Sequence, residues 1–204
     1  MKKRAITIVF MGIDGSGKTT QIDLFLEKLR GEKRLVIYVP FFSSERKVAG
    51  IIKSSIITDK LIHYLDKVAG NKLINTPKLI LRLASIIVDS WLTRLFYLFK
   101  KRGTIIVYDR YYYDSLVAIA LRKKSQKDRI LKLSRLVPKP NIVILFEVKP
   151  EVAILRKPEH SIAEAKYICQ LYSKLKEKIV VEAIDTEQSI SQIQKKIENA
   201  CVNL

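Results

Sequence analysis

FMGIDGSGKTTQ, residues 10–21, carries three of the chain's seven glycines within six positions and runs on through Lys18, Thr19 and Thr20. Before it, AITIVFM (5–11) is an unbroken apolar run of strand length. After it, TTQIDLFLEKLR (19–30) spaces Ile22, Phe25, Leu26 and Leu29 as one face of a helix. Glycines gathered between a strand and a helix permit positive φ and a close approach of backbone to a ligand. The start of a helix adds unpaired N–H groups and the positive end of its dipole, so the stretch suits an anion. Gly12-Ile13-Asp14-Gly15-Ser16-Gly17-Lys18-Thr19 fits G-x-x-x-x-G-K-[ST]. In that pattern successive amides wrap a phosphate chain, the lysine reaches the β- and γ-phosphates, and the hydroxyl ligates Mg²⁺. Gly12, Asp14, Gly15, Ser16, Gly17, Lys18, Thr19 and Thr20 are therefore the expected nucleotide-binding residues, with ATP and Mg²⁺ as ligands.

Four more β-branched runs follow: RLVIYV (34–39), GTIIVYD (103–109), NIVILFEV (141–148) and KIVVEAI (178–184). Continuous apolar strands belong in a parallel sheet covered on both faces, and strands alternating with helices imply right-handed crossovers. The expectation is an α/β P-loop NTPase fold, a five-stranded parallel sheet with helices on both faces and a short lid. No repeat or linker interrupts the chain, so residues 1–204 read as one domain.

NTPKLILRLASIIVDSWLTRLFYLFKKRG (75–103) reads as a long helix, with Thr76 as N-cap, Pro77 in the first turn and a basic last turn before Gly103. Arg82, Ser85, Asp89 and Thr93 form a polar stripe along it, facing either solvent or a wet cleft. Arg82, Asp89 and Arg94 interrupt the apolar run at 79–99, which favours a buried helix over a membrane span. Between residues 40 and 75 the pattern is weak and suggests one or two helices.

The formal net charge is +18 and the pI about 9.9. Such a field draws anions. The basic residues are scattered rather than gathered in a block, which favours a Lys-rich solvated surface over a nucleic-acid role. Cys169 and Cys201 form no metal or disulfide pattern, and His63 and His160 lie far apart. The apolar run near the N-terminus is short and breaks at Gly12, unlike a signal peptide. A soluble cytoplasmic setting is expected.

The second chemical signal is Asp109-Arg110, in IIVYDRYYYDS (105–115). An acid at the carboxyl end of a strand lies where open α/β sheets bind ligands. Asp109 is placed to hold Mg²⁺, and Arg110 to fork onto a phosphate. Tyr111, Tyr112 and Tyr113 offer base stacking, with at least one expected in the core.

With these stretches, and with PKPNIVILFEVKPEVAILRK and AIDTEQSISQIQKKI, the chain resembles the thymidylate kinases from about residue 5 to 200. The resemblance implies a nucleoside monophosphate kinase that moves the γ-phosphoryl of ATP to dTMP with Mg²⁺, usually as a homodimer. It implies catalytic roles for Lys18, Arg110 and Arg156, and acceptor contacts for Asp14, Arg46, Asp89, Arg110 and Ser115. LRKPEHSIAE (155–164) falls where the family has its lid, with Arg156 or Lys157 neutralising the transferring phosphoryl and Glu164 following. The chain departs from the family where thymine is read. Ile86 and Ser90 stand for the expected phenylalanine and arginine, and Ile119 for a glutamine. The arginine that the family has after its second strand is also displaced, with Arg46 in VPFFSSERK (39–47) the nearest candidate, so the phosphate machinery is present while the thymine reader is not. That leaves two alternatives: a P-loop kinase of a non-thymidine or non-nucleotide acceptor, and a nucleic-acid-associated P-loop ATPase.

Overall fold

The computed structural model describes residues 5–40 and 75–202, with side chains from residue 79 onward in the second stretch. Arg46 and the helices expected between residues 40 and 75 fall outside the described residues. The strands are β1 (Ile6–Gly12), β2 (Val36–Pro40), β3 (Ile105–Asp109), β4 (Ile142–Glu147) and β5 (Glu182–Asp185). They form one parallel sheet in the order β2-β3-β1-β4-β5. The α-helices are α1 (Lys18–Gly31), α2 (Asn75–Leu98), α3 (Tyr112–Arg122), α4 (Lys127–Lys132), α5 (Pro150–Arg156), α6 (Ile162–Lys176) and α7 (Ile190–Cys201).

Strand alternation splits β1 between two cores. Ile6, Ile8 and Phe10 pack with Phe25 and Leu26 of α1 and Ile193 and Ile197 of α7. Val9 and Met11 pack on the other face with Leu116 of α3 and Leu171 of α6. Burial on both faces explains why every β1 position is buried and why its sequence shows no polar alternation. β1 runs between β3 and β4, so its carboxyl end opens at the point where strand order reverses, and the glycine-rich stretch begins there.

Two element ends differ from the sequence reading. The long helix stops at Leu98 rather than at Arg102. The Phe99 and Lys100 amides bond the Phe96 and Tyr97 carbonyls in a tightened last turn. Gly103, at φ +77°, then turns the chain into β3 instead of capping the helix. The fifth strand starts at Glu182, because the Lys178 and Ile179 amides still bond the Leu175 carbonyl at the end of α6. Val180 in the connection is 92% exposed.

Candidate active site

The glycine-rich stretch between β1 and α1 is held by backbone contact. Gly12, at φ +143°, lies so close to β4 that a Cβ would fall 2.7 Å from the Phe146 carbonyl oxygen. Gly15, at φ +79°, meets α5: a Cβ there would fall 2.2 Å from the Ala153 carbonyl oxygen. No side chain fits either position. The amides of Gly15 and Gly17 bond no acceptor among the described residues. Gly17 caps α1 with no side-chain hydrogen bond, leaving the first-turn amides of that helix free for an anion.

Lys18 is 6% exposed, and its ammonium is folded onto its own loop. Nζ donates to the Gly12 carbonyl at 2.9 Å, the Ile13 carbonyl at 2.7 Å and Ser16 Oγ at 3.2 Å. Burial, helped by the nearby Arg110 charge, pushes its pKa down to about 8. Thr19 and Thr20 are exposed in the first turn of α1.

Arg110 follows β3 at φ +73°, an uncommon conformation for a side-chain-bearing residue. Its amide donates to the Phe10 carbonyl at 2.9 Å, which fixes that backbone against β1. The guanidinium bonds the Asp14 carboxylate, and Asp114 lies 3.9 Å away. Lys157, just past α5, sits 3.8 Å from Asp14 and 2.8 Å from Glu159. Burial alone would raise the Asp14 pKa, but the Arg110, Lys18 and Lys157 charges outweigh it and hold the carboxyl low. Asp14, Glu159 and His160 bring their donor atoms within 4.8 Å of one another. Arg110 and Lys157 already pair with Asp14, so this cluster is an ion network between the glycine-rich loop and the segment that follows α5.

The structure thus brings Asp14, Lys18, Arg110 and the 157–160 segment together, although they are up to 146 positions apart in sequence. Asp109, at the end of β3, accepts a hydrogen bond from Tyr38 at 3.0 Å. It is near enough to Lys18 to bear on that ammonium's charge. An exposed Thr19 hydroxyl and the Asp109 carboxylate are hard oxygen donors that fit Mg²⁺.

Other expected site residues lie on or beside α2, α3 and α5. Asp89 is 5% exposed, and its carboxylate accepts from the Tyr112 hydroxyl at 3.0 Å. Thr93 meets the same hydroxyl at 2.7 Å. Half of the polar stripe on α2 is therefore a tie to α3, while Arg82 faces solvent. All three tyrosines at 111–113 are buried, and the Tyr111 hydroxyl bonds the Pro138 carbonyl at 3.0 Å. They build the core rather than a stacking surface. Ser115 is half-buried on α3 and Arg156 is exposed at the end of α5.

Sequence reasoning passed over two residues. Asp114 is buried and accepts from the Tyr111 amide at 2.9 Å, closing the first turn of α3. Tyr-x-x-Asp is not the usual Ser/Thr-x-x-Glu capping signature, so no sequence signal marked this role. Tyr172, on α6, donates to Asp114 at 2.6 Å. No local pattern marks it.

A model of the thymidylate kinase family matches residues 10–197. A probable thymidylate kinase of Sulfolobus acidocaldarius is 32% identical over 149 residues, covering 73% of this chain and 67% of that protein. Probable thymidylate kinase 1 of Saccharolobus solfataricus is 28% identical over 204 residues, covering 93% and 97%. A solved structure of thymidylate kinase from Candida albicans superposes with a TM-score of 0.63, at 19% identity, over 98% of this chain and 92% of that one. That last likeness speaks to the P-loop NTPase fold alone. The glycine-rich cradle, the cations converging on Asp14 and a family match across most of the chain lead to one assignment: the chain belongs to the thymidylate kinase family, ATP-dependent phosphotransferases of the nucleoside monophosphate kinase class.

Proposed function

We propose that the protein transfers the γ-phosphoryl group of ATP to dTMP, giving ADP and dTDP, through one P-loop kinase domain with a lid at about 156–164. The carrying observation is the contact of Arg110 with Asp14 beside the Lys18 cradle. It supports two anion sites sharing one crevice, one for the donor phosphates and one for the acceptor phosphate. Transfer of this kind needs positioning and cations around spreading negative charge, with no protein nucleophile. In this reading the loop amides and Lys18 hold the β- and γ-phosphates, and Arg110 holds the acceptor phosphate. Asp14 steadies Arg110 and faces the acceptor sugar. An acceptor phosphate oxygen attacks the γ-phosphorus and ADP leaves. Thr19 and Asp109 would hold Mg²⁺, which when bound neutralises charge between the β- and γ-phosphates.

Of the two lid cations, Lys157 is favoured by its approach to within 3.8 Å of Asp14; both it and Arg156 are exposed. Closure of 157–160 over the loop would exclude water and prevent wasteful hydrolysis. Of the residues at the family's thymine-reading positions, Ile86 is half-buried and the other two are buried. Ile119 is 5% exposed, and Ser90 is 1% exposed with its hydroxyl on the Ile87 carbonyl. Base reading therefore falls to other groups, or is relaxed.

An exposed apolar stripe on α2, formed by Ile80, Val88, Leu95 and Leu98, supports a homodimer. No helix among the described residues is long and apolar enough to cross a membrane. Both cysteines are free, which agrees with a reducing cytoplasm. A coupled assay with ATP and dTMP, dUMP, UMP or CMP tests the assignment. Turnover highest on dTMP is expected, and no turnover on any of the four would overturn it.

A further inference from the structure

Tyr172 belongs to none of the sequence motifs, yet it touches two parts of the site at once. It is 6% exposed on α6. Its hydroxyl lies 2.6 Å from Asp114 Oδ1 and 3.2 Å from the carbonyl oxygen of Gly12, the residue that opens the phosphate loop. A phenol carries one proton, and here it meets two acceptors. The Gly12 carbonyl is already served by Lys18 Nζ at 2.9 Å, so the proton belongs on the shorter contact, to Asp114. Asp114 in turn binds the Tyr111 amide through Oδ2 and stands 3.9 Å behind the Arg110 guanidinium. One hydroxyl therefore ties α6 to the first turn of α3 and to the support of Arg110, and lies against the start of the phosphate loop.

We propose that Tyr172 is a positioning residue for phosphoryl transfer: by holding the Asp114 carboxylate in its ionised, oriented form, it fixes Arg110 against the acceptor phosphate. The proposal rests on the acceptor role given to Arg110 above. Burial pushes the Asp114 pKa up. Four groups oppose that rise: the Arg110 charge on the loop before α3, the Tyr172 hydroxyl on α6, the Tyr111 amide, and the Lys18 charge on α1. Removing one of these donors moves the balance toward a neutral Asp114 carboxyl, which would no longer attract the guanidinium.

The test is Tyr172→Phe, which deletes the hydroxyl and keeps the ring. Steady-state kinetics with dTMP and ATP should show dTMP kcat/KM down about tenfold through KM, with the KM for ATP within about twofold of wild type. The acid limb of dTMP kcat/KM should move to higher pH, because Asp114 has lost a donor to its charged form. In an Asp114→Asn background that movement should vanish, since nothing remains there to titrate. A merely structural role would lower thermal stability without moving the acid limb. Carboxyl ¹³C NMR of labelled aspartate reads Asp114 without any turnover, and its midpoint should rise in Tyr172→Phe. Wild-type protein inactive on dTMP would sink the kinase assignment, and the NMR shift would then decide the Tyr172–Asp114 coupling by itself. An unchanged Asp114 midpoint, or an unchanged dTMP KM in an active enzyme, would overturn the proposal.

Discussion

Lys18 stands at the centre of the residue-scale chemistry because it is a buried cation with three neutral acceptors. Its folded pKa of about 8 lies below the ordinary lysine value of 10.5. Between those values the unfolded chain binds the extra proton, so this group's contribution to stability rises with pH from about 8 to about 10.5. Below about 8 both states are charged and the desolvation cost stands in full. ATP has the opposite preference, because its phosphates favour the charged ammonium. ATP binding at pH 9 should therefore take up a proton, and affinity should fall as pH rises through about 8. Calorimetry in two buffers of different ionisation enthalpy measures that uptake, and equal apparent enthalpies in both would count against it. Lys18→Met removes the charge, and kcat should drop at least ~100-fold with circular dichroism unchanged. Near-normal turnover would remove Lys18 from the mechanism.

Between elements, two tight joints hold the site. The loop meets α5 at Gly15, where a methyl group would run into the Ala153 carbonyl in a backbone conformation that side chains disfavour. Gly15→Ala should cost about 1–3 kcal/mol in denaturant unfolding and weaken ATP binding, because relief requires the loop to leave α5. Wild-type stability in that variant would mean the loop and α5 are not in contact. α2 meets α3 through the Tyr112 hydroxyl, shared between Asp89 and Thr93. Tyr112→Phe leaves a buried carboxylate short of a donor, with an expected loss of about 1–3 kcal/mol. Asp89→Asn keeps an acceptor for that hydroxyl and should be milder; the reverse order would show that the tie is not the role of Asp89. The ends of these elements were the least legible part of the sequence. The stop of α2 at Leu98 and the late start of β5 depend on where amides find carbonyls after the periodic pattern has run out.

For the whole molecule, the exposed apolar stripe on α2 is the feature a folded monomer explains least well. Sedimentation velocity should give a dimer. Val88→Arg combined with Leu95→Arg should give a monomer, because two charges on that face cannot be desolvated without partners. An already monomeric wild type would rule out this face as the dimer interface. The net charge of +18 acts at the same scale. It is long-range, so it should speed capture of anionic substrates at low salt and fade as salt rises. Stopped-flow association of a fluorescent ATP analogue across ionic strength measures this, and a flat profile would leave the charge to solubility.

The sequence by itself determined the parallel α/β architecture, the glycine-rich turn at 12–19 and the place of Asp109 and Arg110 at a strand end. Each of these is a local pattern: apolar runs of strand length, glycines before a helix, an acid and a base side by side. Only the tertiary structure decided that Asp89 and the three tyrosines pack inward, that Lys157 rather than Arg156 reaches Asp14, and that Tyr172 meets Asp114 from α6. Those roles depend on which face of a helix meets which strand. That is fixed by close packing between segments far apart in the chain, and no short stretch of sequence records it.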